Sequence, residues 1–163
     1  MSPFRRQLSL LLPEPERAVV DSVRQRIDPL QHAIIPAHVT LCREDEIGSW
    51  ASIQSALSSL QGFDFTLSFA GPKSLPDGCL LLPVSGPTKS YDNLRSKILG
   101  DSCKSHDPHI TILHPRNSAG RKDDLAELAT VAFPTTVHFT EISVIEQVNG
   151  GVWNVVERYR FGF

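Results

Sequence analysis

A basic field is missing from this chain. Sixteen Lys and Arg stand against eighteen Asp and Glu, for a formal charge of −2 and a pI near 6.3. No surface-wide potential therefore awaits a long nucleic-acid duplex, although a small phosphate ester or the end of an RNA strand needs only a few local donors. Cysteine is scarce too. Cys42, Cys79 and Cys103 are odd in number and none makes a C-x-x-C pair, which argues against a disulfide framework or a zinc knuckle and for inert thiols in a reducing compartment. Long apolar runs are lacking. The N-terminal stretch MSPFRRQLSLLLPEPER breaks at Pro13, and nothing approaches the roughly 18 apolar residues of a membrane span. The expectation is a soluble, cytoplasmic, monomeric protein without a membrane partner.

What is present is an ordinary globular balance, 40% hydrophobic and 21% charged over 163 residues, enough for one domain. Arg6 to Leu12 alternates and then turns fully apolar, as a strand entering a core does. Val19, Val20, Val23 and Ile27 recur at helical spacing up to Pro29, and a loop through Pro36 leads to a strand over 37–42. Arg43-Glu44-Asp45-Glu46 reads as a solvated turn before a second helix with the stripe Trp50, Ile53, Leu57, Leu60, stopped by Gly62. Phe63, Phe65, Leu67 and Phe69 alternate with polar residues, and 79–84 is a continuous apolar strand. The pattern then returns. Tyr91, Leu94 and Ile98 mark a helix capped by Gly100, a strand follows over 108–113, and a helix over 123–132 faces Leu125, Leu128 and Ala129 inward. Strands interrupted near Thr140 fill 133–148, Asn149-Gly150-Gly151 turns a hairpin, and 152–161 closes the chain.

Two strands carry the same word. His38-Val-Thr-Leu lies in IIPAHVTLCRED and His109-Ile-Thr-Ile in KSHDPHITILHPRN. Successive strand side chains point to opposite faces, so in each copy His and Thr share one face while Val39/Leu41 or Ile110/Ile112 take the other. Two such faces on a common cleft would supply two proton carriers and two hydroxyl donors. The H-x-H-x-H pattern of histidine-triad hydrolases is excluded, because Thr111 stands where the second histidine belongs.

The paired His-x-Thr motifs, about seventy residues apart, resemble those of the 2H phosphoesterase superfamily, which contains the 2′-5′ RNA ligase-like proteins and cyclic nucleotide phosphodiesterases. A Leu-rich first strand ending in proline, the Asp-Pro before His109 and the late GGVWNVVERYRF hairpin agree with it. The resemblance implies an α+β fold. It is a single bilobal domain over 1–163, with two antiparallel sheets facing a central cleft and helices on the outer faces. Pseudo-two-fold repeats would run over about 13–85 and 86–163. It implies a phosphoesterase acting on 2′,3′-cyclic phosphate or 2′-5′ phosphodiester bonds of nucleotides or RNA termini, reversible as ligation. No cofactor or metal is needed, since two histidines can divide base and acid roles. His38 and His109 would be catalytic, while Thr40 and Thr111 would bind phosphate.

Weaker candidates flank the motifs. Arg43 follows the first, His114 and Arg116 follow the second, and Tyr91, Trp153 and Phe4 are aromatics able to stack a base. His114 has the wrong parity to share a face with His109 on a regular strand. Cys103, His106 and His109 have ligand-like spacing, but no second cluster completes a zinc site. The alternatives are a catalytically idle protein of the same fold that binds RNA ends or nucleotides, and a general interaction domain with incidental motifs.

Overall fold

The structure, a computed structural model, describes residues 3–61, 65–119 and 124–161. Strands β1 (Phe4–Leu11), β2 (His38–Cys42), β4 (Lys73–Ser74), β5 (Leu80–Pro83), β6 (His109–Leu113), β8 (Glu141–Val148) and β9 (Asn154–Arg160) form one antiparallel sheet. Its order is β4-β5-β6-β2-β1-β8-β9. Strands β3 (Phe65–Ser68) and β7 (Thr136–Phe139) pair separately. Helices α1 (Glu16–Ile27), α2 (Pro29–Ile34), α3 (Trp50–Ser58), α4 (Lys89–Leu99) and α5 (Asp124–Leu128) complete the architecture. Among the described residues no helix is long and apolar enough to cross a membrane.

The motif strands are neighbours in the large sheet, not members of two sheets across a cleft, as the resemblance had implied. Val39 pairs with Ile110. Their edges therefore satisfy each other's backbone groups. Their apolar residues Val39, Leu41, Ile110 and Ile112 join one core with Val20, Val23 and Ile27 of α1 and Tyr91, Leu94 and Ile98 of α4. The helices pack crosswise, α1 against β6 and α4 against β2.

Elements recur at a constant offset. His109 less His38 is 71 positions, and the same step carries Glu44–Glu46 onto Pro115–Asn117, both 3-10 turns, and β3 onto β7. It also carries the buried stripe Val20, Val23, Arg24, Ile27 of α1 onto Tyr91, Leu94, Arg95, Ile98 of α4.

Several local expectations change. Pro29 ends α1 but also opens α2 at its first turn, where a missing N–H costs nothing. Asp28 caps that helix by accepting from the Gln31 N–H. The acidic run 44–46 is not simply solvated, because Glu46 pairs with the buried Arg95. Helix α5 turns only Leu128 into the core; Leu125 is 42% exposed and Ala129 is exposed. Gly62, Phe63 and Asp123 lie outside the described residues.

Candidate active site

Continuing the Val39–Ile110 pairing by one residue in each direction sets His38 opposite Thr111 and Thr40 opposite His109. Cross-strand neighbours share a face. All four side chains therefore stand on the face opposite the buried Val39 and Ile110, and all four line one cavity of about 290 Å³.

The two imidazoles are held alike. His38 Nδ1 lies 2.9 Å from the Pro36 carbonyl, and His109 Nδ1 lies 2.9 Å from the Asp107 carbonyl. A carbonyl only accepts, so each Nδ1 carries a hydrogen and each Nε2 is left to exchange a proton in the cavity. In both strands the restraint comes from the residue two positions earlier, so it is set before the strand begins. Among the described residues, neither the Thr40 nor the Thr111 hydroxyl hydrogen-bonds another protein group.

The surroundings break this symmetry. Burial pushes the His38 imidazole down to about 4, with the nearby Arg24 and His109 adding to the effect. His38 is neutral at neutral pH. Ile35 lies three residues before it and lines the cavity, whereas the corresponding place before His109 holds His106. The His106 ring stacks on His109, with centroids 6.1 Å apart and planes 21° from parallel. The Tyr91 hydroxyl donates to the Thr40 carbonyl at 2.8 Å and lies 2.9 Å from His106 Nδ1. A phenol has one hydrogen, so His106 Nδ1–H donates to Tyr91. Tyr91 thus ties the stacked histidine to the other motif strand. Burial, with Arg95 and His109 nearby, lowers the His106 pKa.

Two buried arginines brace the strands from the helices. Arg24 Nη1 donates to Asp21 Oδ1 at 2.6 Å and to the Ile35 carbonyl at 3.0 Å, and Asp21 Oδ1 also accepts from the Ala37 N–H. This fixes the segment that presents the Pro36 carbonyl to His38. Arg95 donates to the Leu41 and Lys104 carbonyls and pairs with Glu46. Burial would raise the Glu46 carboxyl. The hydrogen bonds from Arg95 and from the Arg43 N–H outweigh it and hold the group below its usual range. Asp28 accepts from the His114 N–H and from Asn117 Nδ2, anchoring the exit of β6 to the end of α1.

Of the weaker candidates, Arg43, His114, Arg116 and Trp153 line the cavity and Tyr91 does not. Tyr91 is 0% exposed, so its ring belongs to the core and only its hydroxyl serves the site, from behind β2. Phe4 stands outside the lining. His114 reaches the cavity despite its parity because β6 ends at Leu113, and strand alternation no longer governs the next residue. Its Nδ1 accepts from the Arg116 N–H, and burial with Arg116 nearby lowers its pKa. Sequence reading missed Arg5, Arg24, Gln31 and His106 in the lining. One signal was available: Arg24 and Arg95 each sit on an otherwise apolar helix stripe, a place where an arginine needs buried acceptors. Among the described residues no group of three or more His, Cys, Asp or Glu could hold a metal ion, so Cys103, His106 and His109 do not assemble a site.

No family model and no curated protein sequence matches the chain. Solved structures do match in shape. E. coli LigT complexed with 3′-AMP superposes with a TM-score of 0.69 at 17% identity, covering 99% of this chain and 100% of that one. The chain has the LigT fold. LigT complexed with ATP gives 0.66 at 18% identity with 98% of each chain covered, and a structure described as a phosphoesterase gives 0.63 at 18% with 98% and 99% covered. LigT itself has been crystallised with phosphate and with NADP+ as well.

Proposed function

We propose that this protein is a metal-independent phosphoesterase that opens 2′,3′-cyclic phosphates, or cleaves 2′-5′ phosphodiesters, of nucleotides or RNA ends. We further read the chain as one bilobal domain built from two repeats related by a pseudo-two-fold axis between β2 and β6. The constant 71-residue step (109 less 38) and the crosswise helix packing support that reading. The observation that carries the function is the Val39–Ile110 pairing, which gathers two His-Thr pairs on one cavity.

The chemistry divides between the two histidines. Neutral His38 takes a proton from water through Nε2 as the water oxygen bonds to phosphorus. The bond from phosphorus to one ribose oxygen breaks, and protonated His109 gives that oxygen its Nε2 proton. The products are a phosphomonoester and a free hydroxyl. His38 is assigned the base because burial keeps it unprotonated, which leaves the acid role to His109. Thr40 and Thr111 donate to the non-bridging oxygens as charge builds there. With a 5′-hydroxyl in place of water, His38 would take its proton as the 5′-oxygen bonds to phosphorus. The bond to the 3′ ribose oxygen would break with His109 protonating that oxygen, and a 2′-5′ linkage would result. The nucleotides crystallised with LigT are of the size and charge this reading requires.

Hydrolysis of a panel of 2′,3′-cyclic nucleotides tests it. Wild type turns over, chelators leave the rate unchanged, and His38→Ala and His109→Ala each lose about 10²- to 10⁴-fold while folding normally. Nucleotide binding without turnover would move the assignment to an idle binding protein. Undiminished turnover in either alanine variant would refute the mechanism.

A further inference from the structure

The cavity carries more positive charge than one phosphodiester requires. Arg5, Arg24, Arg43 and Arg116 line it together with four histidines, and no carboxylate is in its lining among the described residues. This concentration sits in a chain whose overall charge is −2. Three of the four guanidiniums have acidic partners: Arg24 with Asp21, Arg5 with Glu44, and Arg43 with Asp45 at 3.9 Å. Arg116 donates from Nη2 to the neutral amide of Gln31 at 2.5 Å, and no carboxylate pairs with it among the described residues.

The guanidinium without a carboxylate partner, Arg116, stands beside His114. Arg5 and Arg116 both act on His114, whose Nδ1 is used by the Arg116 N–H. A neutral His114 therefore presents Nε2–H, a donor, to the cavity. Arg5 is held in place by Glu44 at 2.8 Å and Gln147 at 3.1 Å, and lies 5.0 Å above the Trp153 ring. Beyond these residues the cavity continues into a second hollow of about 360 Å³ that shares Arg5, Gln31 and Arg116 as its wall and again has no carboxylate. Two acids also bear on His114: Asp28, which spends its oxygens on the Gln31 and His114 N–H groups and on Asn117, and Asp77, whose Oδ1 accepts from the Cys79 N–H. Across the strand pair from His114, the position 71 residues before it is Arg43, which has Asp45 beside it, and Arg5 reaches toward that side through Glu44. Arg116 differs from both in having no carboxylate partner among the described residues.

We propose that Arg5, His114 and Arg116 form a second anion subsite, and that the substrate carries a phosphate or pyrophosphate besides the phosphodiester placed between His38 and His109. This deepens the reading given under Proposed function and rests on it for the position of the first phosphate. The substrate class is a cyclic-phosphate nucleotide, or the terminus of a short oligonucleotide, with a further terminal phosphate. Guanidinium–phosphate hydrogen bonds are charge-assisted and strong, so even one well-placed contact is worth about a tenfold preference.

Two comparisons decide it. In the first, kcat/KM is measured for adenosine 2′,3′-cyclic phosphate with and without a 5′-phosphate. Wild type is expected to favour the 5′-phosphorylated form about tenfold or more, Arg116→Gln to bring the ratio close to one, and Arg116→Lys to restore part of it. In the second, calorimetry compares adenosine 3′,5′-bisphosphate with adenosine 3′-phosphate, with the same preference expected in Kd and the same loss in Arg116→Gln. If neither cyclic nucleotide is turned over, the phosphodiesterase reading falls and the calorimetric ratio alone judges the subsite. Equal affinity for the two ligands in wild type, or a preference that survives Arg116→Gln intact, overturns the proposal.

Discussion

Lowering the pH should leave this protein active well below the range in which an ordinary histidine base fails. His38 is held down to about 4 by burial, with Arg24 and His109 reinforcing it, against an ordinary value of 6.5. At about pH 5.5 such a group is about 97% neutral, whereas an unshifted histidine would be about 9% neutral, close to a tenfold difference in competent base. The phosphodiester stays ionised throughout, so kcat/KM reports the free protein's groups. The assay is kcat/KM for a 2′,3′-cyclic nucleotide from about pH 4 to 8, with the acid limb expected near 4. The same shift bears on stability. Between about 4 and 6.5 the unfolded chain binds the His38 proton and the folded chain does not, so stability falls as pH falls through that window. The loss is at most about 3 kcal/mol, reduced because the ring is only partly buried and lines an open cavity. Circular dichroism at each pH separates that loss from the catalytic limb. An acid limb near 6.5 in protein that remains folded would refute both the lowered pKa of His38 and its role as base.

Two further outcomes follow from the braces behind the site. Arg95→Met leaves Glu46 and the Leu41 and Lys104 carbonyls without their buried donor, so denaturant unfolding should show a loss of about 3–5 kcal/mol, and replacing Arg95 and Glu46 together by apolar residues should cost less. A double replacement costing as much as the two singles summed would contradict the pairing. Tyr91→Phe removes the link between Thr40 and His106 while keeping the core volume. It should cost about 1–3 kcal/mol in stability and lower kcat more than it raises KM.

How much of this was legible in the sequence depends on whether the information is local. The His-x-Thr strands, the stripes of α1 and α4 and the break at Thr140 were readable because side-chain period reports which face is buried. The Asn149-Gly150 turn was readable because its positive φ values of 50° and 71° favour those residue types. Strand pairing was not readable. Backbone hydrogen bonds carry no residue code, so nothing in HVTLC says that its edge meets HITIL. The short helix α2 was hidden by reading Pro29 only as a stop, and His114 by extending strand parity one residue too far. Arg24 and His106 were passed over for a common reason: each works through a contact outside its own element, Arg24 with the Ile35 carbonyl at the entry to β2 and His106 with Tyr91 of α4.

The central claim is that His38 and His109 act as one unit on one phosphodiester. A double-mutant cycle on cyclic-nucleotide hydrolysis measures this directly, using His38→Ala, His109→Ala and the double variant. Groups that work as a unit are strongly non-additive, so the double variant should be about as slow as the slower single variant. Losses that multiply, each histidine contributing its full factor regardless of the other, would mean the two do not share a reaction.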